Sequence, residues 1–213
     1  MQNHPHIPKL ADRNPSLDHL EAALLQATDM IVSSLTDAGG KILAAGNGGS
    51  CSDALHFSGE LLKSFVLARP IDSDIRKALS QYSFGEELCD SLETGIPVVV
   101  LGQNPSLSSA YLNDRGKPES VVAQECLALI KPGDILVTFS TSGNAENLVR
   151  AMAVAKARKA QTIAFTGKSG GKMGEIADLE VRSPAGVTAT VQEDHIVLYH
   201  KLCMLIEARI FGA

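Results

Sequence analysis

The chain has 213 residues, 45% of them hydrophobic, and a net charge of -5 with no block of Lys or Arg. This is enough apolar material for one sizeable core, and it provides no electrostatic footprint for nucleic acid. An anionic ligand must then be held by local donors rather than by a global positive field.

Trp is absent and aromatics make up 4%, so the core is expected to be aliphatic. Cys51, Cys89, Cys126 and Cys203 form no CxxC pair and read as reduced thiols of a cytoplasmic protein. The first residues carry no apolar leader, and no later run is long enough to span a bilayer, so no membrane partner is expected.

Residues 1–15, rich in His, Asn and Pro, are expected to form a flexible arm. From Ser16, a plausible N-cap, Leu17, Leu20, Ala23, Leu24, Ala27, Ile31 and Leu35 recur at threes and fours. This predicts a long amphipathic helix ended by Gly39-Gly40, with a face suited to a partner subunit. Residues 41–45 read as a buried strand, followed by the turn Gly46-Asn47-Gly48-Gly49-Ser50 and a helix over 52–65.

The stretch 71–95 reads as mostly helical, 97–101 as a strand, 103–118 as a loop, 119–130 as a helix and 135–139 as a strand. Then come the loop Ser140-Thr141-Ser142-Gly143-Asn144, a helix over 145–158 and a strand over 161–165. The turn Thr166 to Gly171, a short strand at 179–181 and a helix over 191–210 complete the order. Strands apolar on both faces and alternating with helices predict a parallel sheet covered on both sides. With no internal repeat and no low-complexity linker, residues 16–213 are expected to be one domain.

Ligands of such sheets sit at the carboxyl ends of the strands, where all three glycine-rich turns fall. Glycine lets the backbone approach an oxyanion, and helix N-termini offer free N–H groups and the positive end of a dipole. Hydroxyls of Ser50, Ser140, Thr141 and Ser142 add neutral donors. An N-capped strand-to-helix turn explains any one loop equally well; two hydroxyl-rich loops in one sheet favour phosphate. The first turn misses the G-x-G-x-x-G spacing and the third lacks the G-x-x-x-x-G-K-[ST] spacing, which argues against a dinucleotide oxidoreductase and an NTPase.

His56 and Glu60 stand at i and i+4 on the helix after the first turn, and so share a face. Gln192 and His200, eight apart on the last helix, share another. The four could hold a divalent metal with nitrogen and oxygen ligands. Alternatively, Glu60 and His200 could act as an acid/base pair without metal. A solvated i,i+4 pair explains His56 and Glu60 alone, and His195 reads as a structural or surface histidine. Spacing does not join the two helices in space.

Taken together, several segments resemble the phosphoheptose isomerase (sedoheptulose-7-phosphate isomerase) branch of the SIS, or sugar isomerase, domain family. They are Gly46 to Ser50, Asp53 to Phe57 with Glu60, Asn113-Asp114, Ser140 to Asn144, Thr166 to Lys172, and Gln192 to His195 with His200. The resemblance runs from about residue 16 to 211. It implies a three-layer SIS-type α/β fold, with a five-stranded parallel sheet flanked by helices. It also implies a homotetramer with active sites between subunits, and interconversion of sedoheptulose 7-phosphate and D-glycero-D-manno-heptose 7-phosphate.

By the same resemblance, Glu60 and His200 are the catalytic acid/base pair. Asn47, Gly48, Gly49, Ser50, Asn113, Asp114, Ser140, Thr141, Ser142, Asn144 and Gln192 bind substrate and phosphate. His56, Glu60, Gln192 and His200 hold one zinc ion per site. The chain departs from the family pattern at Ala145, where Ser is frequent, at Ser64, where an Arg is expected, and at Ala189, where an Asp is expected. The segment 71–95 is longer than usual. These changes bear on which phosphosugar is used, and a different phosphosugar isomerase is the alternative. A noncatalytic SIS sugar-phosphate-binding module is a further one, against which the retained Glu60 and His200 speak.

Overall fold

The computed structural model describes residues 7–212. Residues 1–6 of the expected arm lie outside that range. The rest of it is packed rather than loose: Leu10, on the short helix α1 (Leu10–Arg13), is fully buried in the core. The Lys201 Nζ donates to the Pro8 carbonyl at 2.9 Å, and the Asn14 amide donates to Asp194 Oδ1 at 3.0 Å. A single leucine in a polar stretch is invisible to periodicity, which explains the difference.

Asn14, not Ser16, caps the next turn of chain, a 3-10 turn over Pro15–Leu20, accepting from the Ser16 N–H at 3.1 Å. The turn leads into α2 (Glu21–Thr36), whose Leu24, Ala27 and Ile31 are buried at the expected helical spacing. Then come β1 (Ile42–Gly46) and α3 (Gly49–Leu62). The segment predicted as helical splits into two short helices, α4 (Ser73–Leu79) and α5 (Gly85–Ser91). They pack mainly on each other, α4 burying none of its residues. Their excursion is closed at its base, where the Thr94 N–H donates to the Arg69 carbonyl at 2.7 Å.

After β2 (Val98–Val100), the expected loop is largely a helix, α6 (Pro105–Arg115). Asn104 caps it by accepting from the Leu107 N–H, and Gly116 ends it in the left-handed region at φ 59. It buries none of its residues, so no apolar periodicity announced it. The order continues through α7 (Val121–Leu129), β3 (Ile135–Ser140), α8 (Glu146–Ala157), β4 (Gln161–Thr166), α9 (Gly171–Ile176), β5 (Leu179–Arg182) and α10 (Thr188–Phe211).

The five strands form one parallel sheet in the order β2-β1-β3-β4-β5, as expected for the fold class. Side chains alternate across it. Ile42, Ala44, Ile135, Val137 and Phe139 join residues of α2, α3 and α10 in one core. Leu43, Ala45, Leu136 and Ala164 join α7 and α8 in the other. Two apolar faces, each covered by helices, leave the strand ends as the place where polar loops converge.

Where the chain leaves α3, near the start of β2, lies a buried ion pair, Arg69 Nε to Glu207 Oε1 at 2.7 Å, with both side chains at zero exposure. Glu207 also accepts from the backbone N–H groups of Phe65, Val66 and Leu67, and Arg69 Nη1 donates to the Leu61 carbonyl. This clamp pins the segment that leaves α3 to α10, the two helices that carry the ionisable residues.

Candidate active site

The loop after β3 turns sharply. The Ser140 hydroxyl accepts from the Gly143 N–H at 3.2 Å and so closes the turn. Gly143 sits at φ 66, and a Cβ there would collide with the carbonyl of Gly170, so the second and third glycine turns can touch only because this residue is glycine. Asn144 ties the same two turns together: its Nδ2 donates to the Ser142 carbonyl at 2.9 Å and its Oδ1 accepts from the Lys172 N–H at 3.1 Å. Ser140 is buried and Asn144 is spent on the loop.

Thr141 and Ser142 instead face an open cavity of about 610 Å³, shared with Lys168, Ser169, Gly186 and Thr188. Lys168 and Thr188 were not among the sequence candidates. Lys168 lies inside a glycine turn already noted after a strand, and its cationic side chain was the available signal. Thr188 opens α10, and nothing around it in sequence marks it.

The turn after β1 is held by a reciprocal amide pair between Asn47 and Asn147, 2.9 Å in each direction. Asn47 and Gly48 line a second cavity of about 360 Å³, with Cys51, Gly102, Gln103 and Asn147 among its walls. Ser50 is buried in the first turn of α3. Gly49 faces Gln192: a Cβ at Gly49 would overlap the Gln192 carboxamide, so the base of α10 packs directly on the first glycine turn. Asn113 and Asp114 bond to each other at 3.1 Å on α6. Asp114 lines a third cavity, of about 280 Å³, whose walls share no residue with the other two.

The fold joins what spacing could not. His56 and Glu60 on α3 meet His200 on α10, with ligand-capable atoms of all three within 4.8 Å of one another. His56 Nε2 is 3.0 Å from Glu60 Oε1 and 3.4 Å from His200 Nε2. Lys63 Nζ lies 3.8 Å from Glu60 Oε2. Burial, and secondly the neighbouring His56, lower the His200 pKa, which keeps its imidazole neutral at neutral pH. His56 Nδ1 is 2.8 Å from the hydroxyl of Tyr199, another residue the sequence candidates omitted.

His195, expected to be structural or on the surface, is structural. It is fully buried against Phe139 and Phe165, with Nε2 3.2 Å from the Thr166 carbonyl. Its Nδ1 has no partner among the described residues, nor has Asp53 Oδ2, 4.0 Å away. Burial raises the Asp53 pKa to about 6 and lowers that of His195 to about 4.

A doubly covered parallel sheet with hydroxyl-rich turns at its strand ends, beside a cluster in which the His56 imidazole faces both Glu60 and His200, is the arrangement of a SIS-domain protein. The SIS domain family model matches residues 13–167. The phosphoheptose isomerase of Shewanella sp. (strain ANA-3) is 37% identical over 195 residues, covering 90% of this chain and 86% of that protein. Two solved structures superpose with a TM-score of 0.73. Phosphoheptose isomerase GmhA from Neisseria gonorrhoeae is 30% identical, covering 94% of this chain and 93% of its own. A phosphoheptose isomerase from Francisella tularensis is 28% identical, covering 93% and 92%. The chain belongs to the phosphoheptose isomerase family of SIS-domain proteins.

Proposed function

We propose that this chain is an aldose-ketose isomerase that interconverts sedoheptulose 7-phosphate and D-glycero-D-manno-heptose 7-phosphate. The observation that carries the reading is the meeting of His56, Glu60 and His200 from two helices, in a chain similar to two solved phosphoheptose isomerases. The reaction moves a proton between neighbouring carbons through an enediolate, so it needs a base at the carbons and a donor at the oxygens. Glu60 takes the proton from one carbon and returns it to the next, and His200 serves the oxygens from the other side.

The phosphate is assigned to the cavity of Thr141, Ser142, Lys168 and Ser169, where Lys168 adds the one cationic side chain of its walls. Asn47, Gly48, Gly49, Ser50, Asn113, Asp114, Ser140, Asn144 and Gln192 complete the proposed substrate set. Within it, Ser140 and Asn144 act by shaping the loop, and Asn113 and Asp114 suit a site completed by a neighbouring subunit of a homotetramer. No described helix is long and apolar enough to cross a membrane, which fits the proposed cytoplasmic setting.

Two imidazole nitrogens and a carboxylate oxygen form a donor set that suits zinc. His56, Glu60 and His200, with Gln192 as the fourth ligand, would hold it. When bound there, zinc supplies a Lewis acid for the sugar oxygens. Glu60 would then serve both as a ligand and as the base, two roles in tension because a fully engaged carboxylate oxygen is not free to take a proton.

A second reading, isomerisation of a different phosphosugar on the same site, is favoured by Ser64, Ala145 and Ala189 and by the α4–α5 excursion. The test is a coupled isomerase assay across C5, C6 and C7 ketose phosphates, with metal analysis of the purified protein. Preference for the C7 substrate supports the first reading, preference for a shorter sugar supports the second, and binding without turnover in metal-supplemented buffer sinks both.

A further inference from the structure

Tyr199 sits one position before His200 on α10, reaches the ionisable cluster with its hydroxyl, and has no part in the chemistry above. It is 1% exposed, and its ring packs edge-on against Phe57 and Phe139 on one side and against His56 and His200 on the other. Among the described residues its hydroxyl has one partner, His56 Nδ1 at 2.8 Å. The other nitrogen of that ring, Nε2, is the atom that faces both Glu60 and His200.

This division of the imidazole has a consequence. A metal bound between His56, Glu60 and His200 takes the Nε2 lone pair, so the ring proton must reside on Nδ1. A protonated Nδ1 aimed at the buried Tyr199 is satisfied by an acceptor there, and the Tyr199 oxygen, 2.8 Å away, is the acceptor in place. A phenol hydroxyl can also donate. Without metal the bond reverses: Tyr199 donates to Nδ1, and the proton on Nε2 is donated to Glu60 Oε1. One buried hydroxyl therefore satisfies either tautomer without moving a side chain.

We propose that Tyr199 is a positioning residue that orients His56 and holds its Nδ1 proton when the cluster binds a divalent metal. The inference rests on the metal-centre part of the proposed function, not on the identity of the sugar. An outer partner of this kind contributes about 10–100-fold to metal affinity.

The test is zinc titration of metal-stripped protein against a chromophoric chelator, comparing wild type, Tyr199→Phe and His56→Gln. Phe keeps the ring and its packing, so the thermal midpoint reports whether the fold is retained. Zinc affinity in Tyr199→Phe is expected to fall about 10–100-fold while His56→Gln loses the site. In the zinc-loaded protein the His56 Nδ1 proton is expected to resonate as hydrogen-bonded in wild type and to shift and exchange faster with solvent in Tyr199→Phe, a change that simple ring packing by Tyr199 would not produce. Equal affinity in wild type and Tyr199→Phe overturns the inference and leaves the metal centre standing. A wild type that binds zinc no better than His56→Gln overturns the metal centre, and the inference with it. Zinc binding with the expected loss in Tyr199→Phe, but no isomerase activity, keeps the inference and removes the enzymatic reading.

Discussion

The cavity at Thr141 and Lys168 is built by backbone turns, whereas the cluster of His56, Glu60 and His200 is built by side chains whose histidines lie 144 positions apart. In the first region most polar groups are already committed. Ser140 closes its own turn, Asn144 laces two turns together, and Gly143 lets them touch. The loop's own hydrogen bonds hold its shape, which lowers the ordering cost of binding. In the second region two ring nitrogens and a carboxylate oxygen face one another, and only a shared proton, a substrate or a metal can satisfy all three. The first region is suited to holding an anion and the second to moving a proton.

That division can be broken by kinetics. The largest effect is expected at the cluster. Glu60→Gln and His200→Gln should each lower kcat by ~10²–10⁴-fold, with little change in KM and an unchanged circular dichroism spectrum. Full turnover in either variant would remove that residue from the chemistry. A smaller effect of the opposite kind is expected at the loops. Ser142→Ala and Lys168→Met should raise KM by roughly 10-fold each, the order of one hydrogen bond to a charged group, and leave kcat nearly intact. A Lys168→Met enzyme with normal KM and collapsed kcat would move Lys168 from the binding region to the reacting one.

The smallest effect concerns the buried pair behind both regions. Asp53 has its pKa raised to about 6, so the folded protein holds its proton more tightly than the unfolded chain does. The stability it contributes is present at low pH and is lost as pH rises through about 6. His195 has its pKa lowered to about 4, so the unfolded chain takes up the proton first, and stability rises with pH from about 4 to 6.5. The two slopes oppose each other, and between about pH 4 and 6 the wild type should show almost no net trend from this pair. Asp53→Asn should expose the rising slope and His195→Gln the falling one, read as thermal midpoint against pH. Slopes of the same sign in the two variants would show that the pair is not what governs this range.

The two regions also differed in how far they could be read in advance. The turns were legible because each is a local event: a strand, a few small residues and a helix start, all close together in the chain. Helices that bury a stripe, such as α2, were legible for the same reason. Helix α6 buries none of its residues and so left no periodic trace, and Leu10 gave no pattern at all. The excursion through α4 and α5 was read as helical, but its break at residues 80–84 was not, because neither half has a core face to set a period.

From local pattern alone, the chain determined its class, the order of its strands and of the helices that bury an apolar stripe, and the position of its phosphate-type turns. It also supplied His56, Glu60, Gln192 and His200 as candidates, and a family resemblance that assigned them to one site. The tertiary structure decided which of them meet. It brought α3 and α10 together through the Arg69–Glu207 clamp, placed Tyr199 behind His56, turned Lys168 toward Thr141, and buried Asp53 beside His195. The reason is physical. Backbone dihedrals, caps and hydrophobic periods are set by neighbours in sequence, but a distance of a few ångströms between side chains on separate helices is set by how the two cores fill.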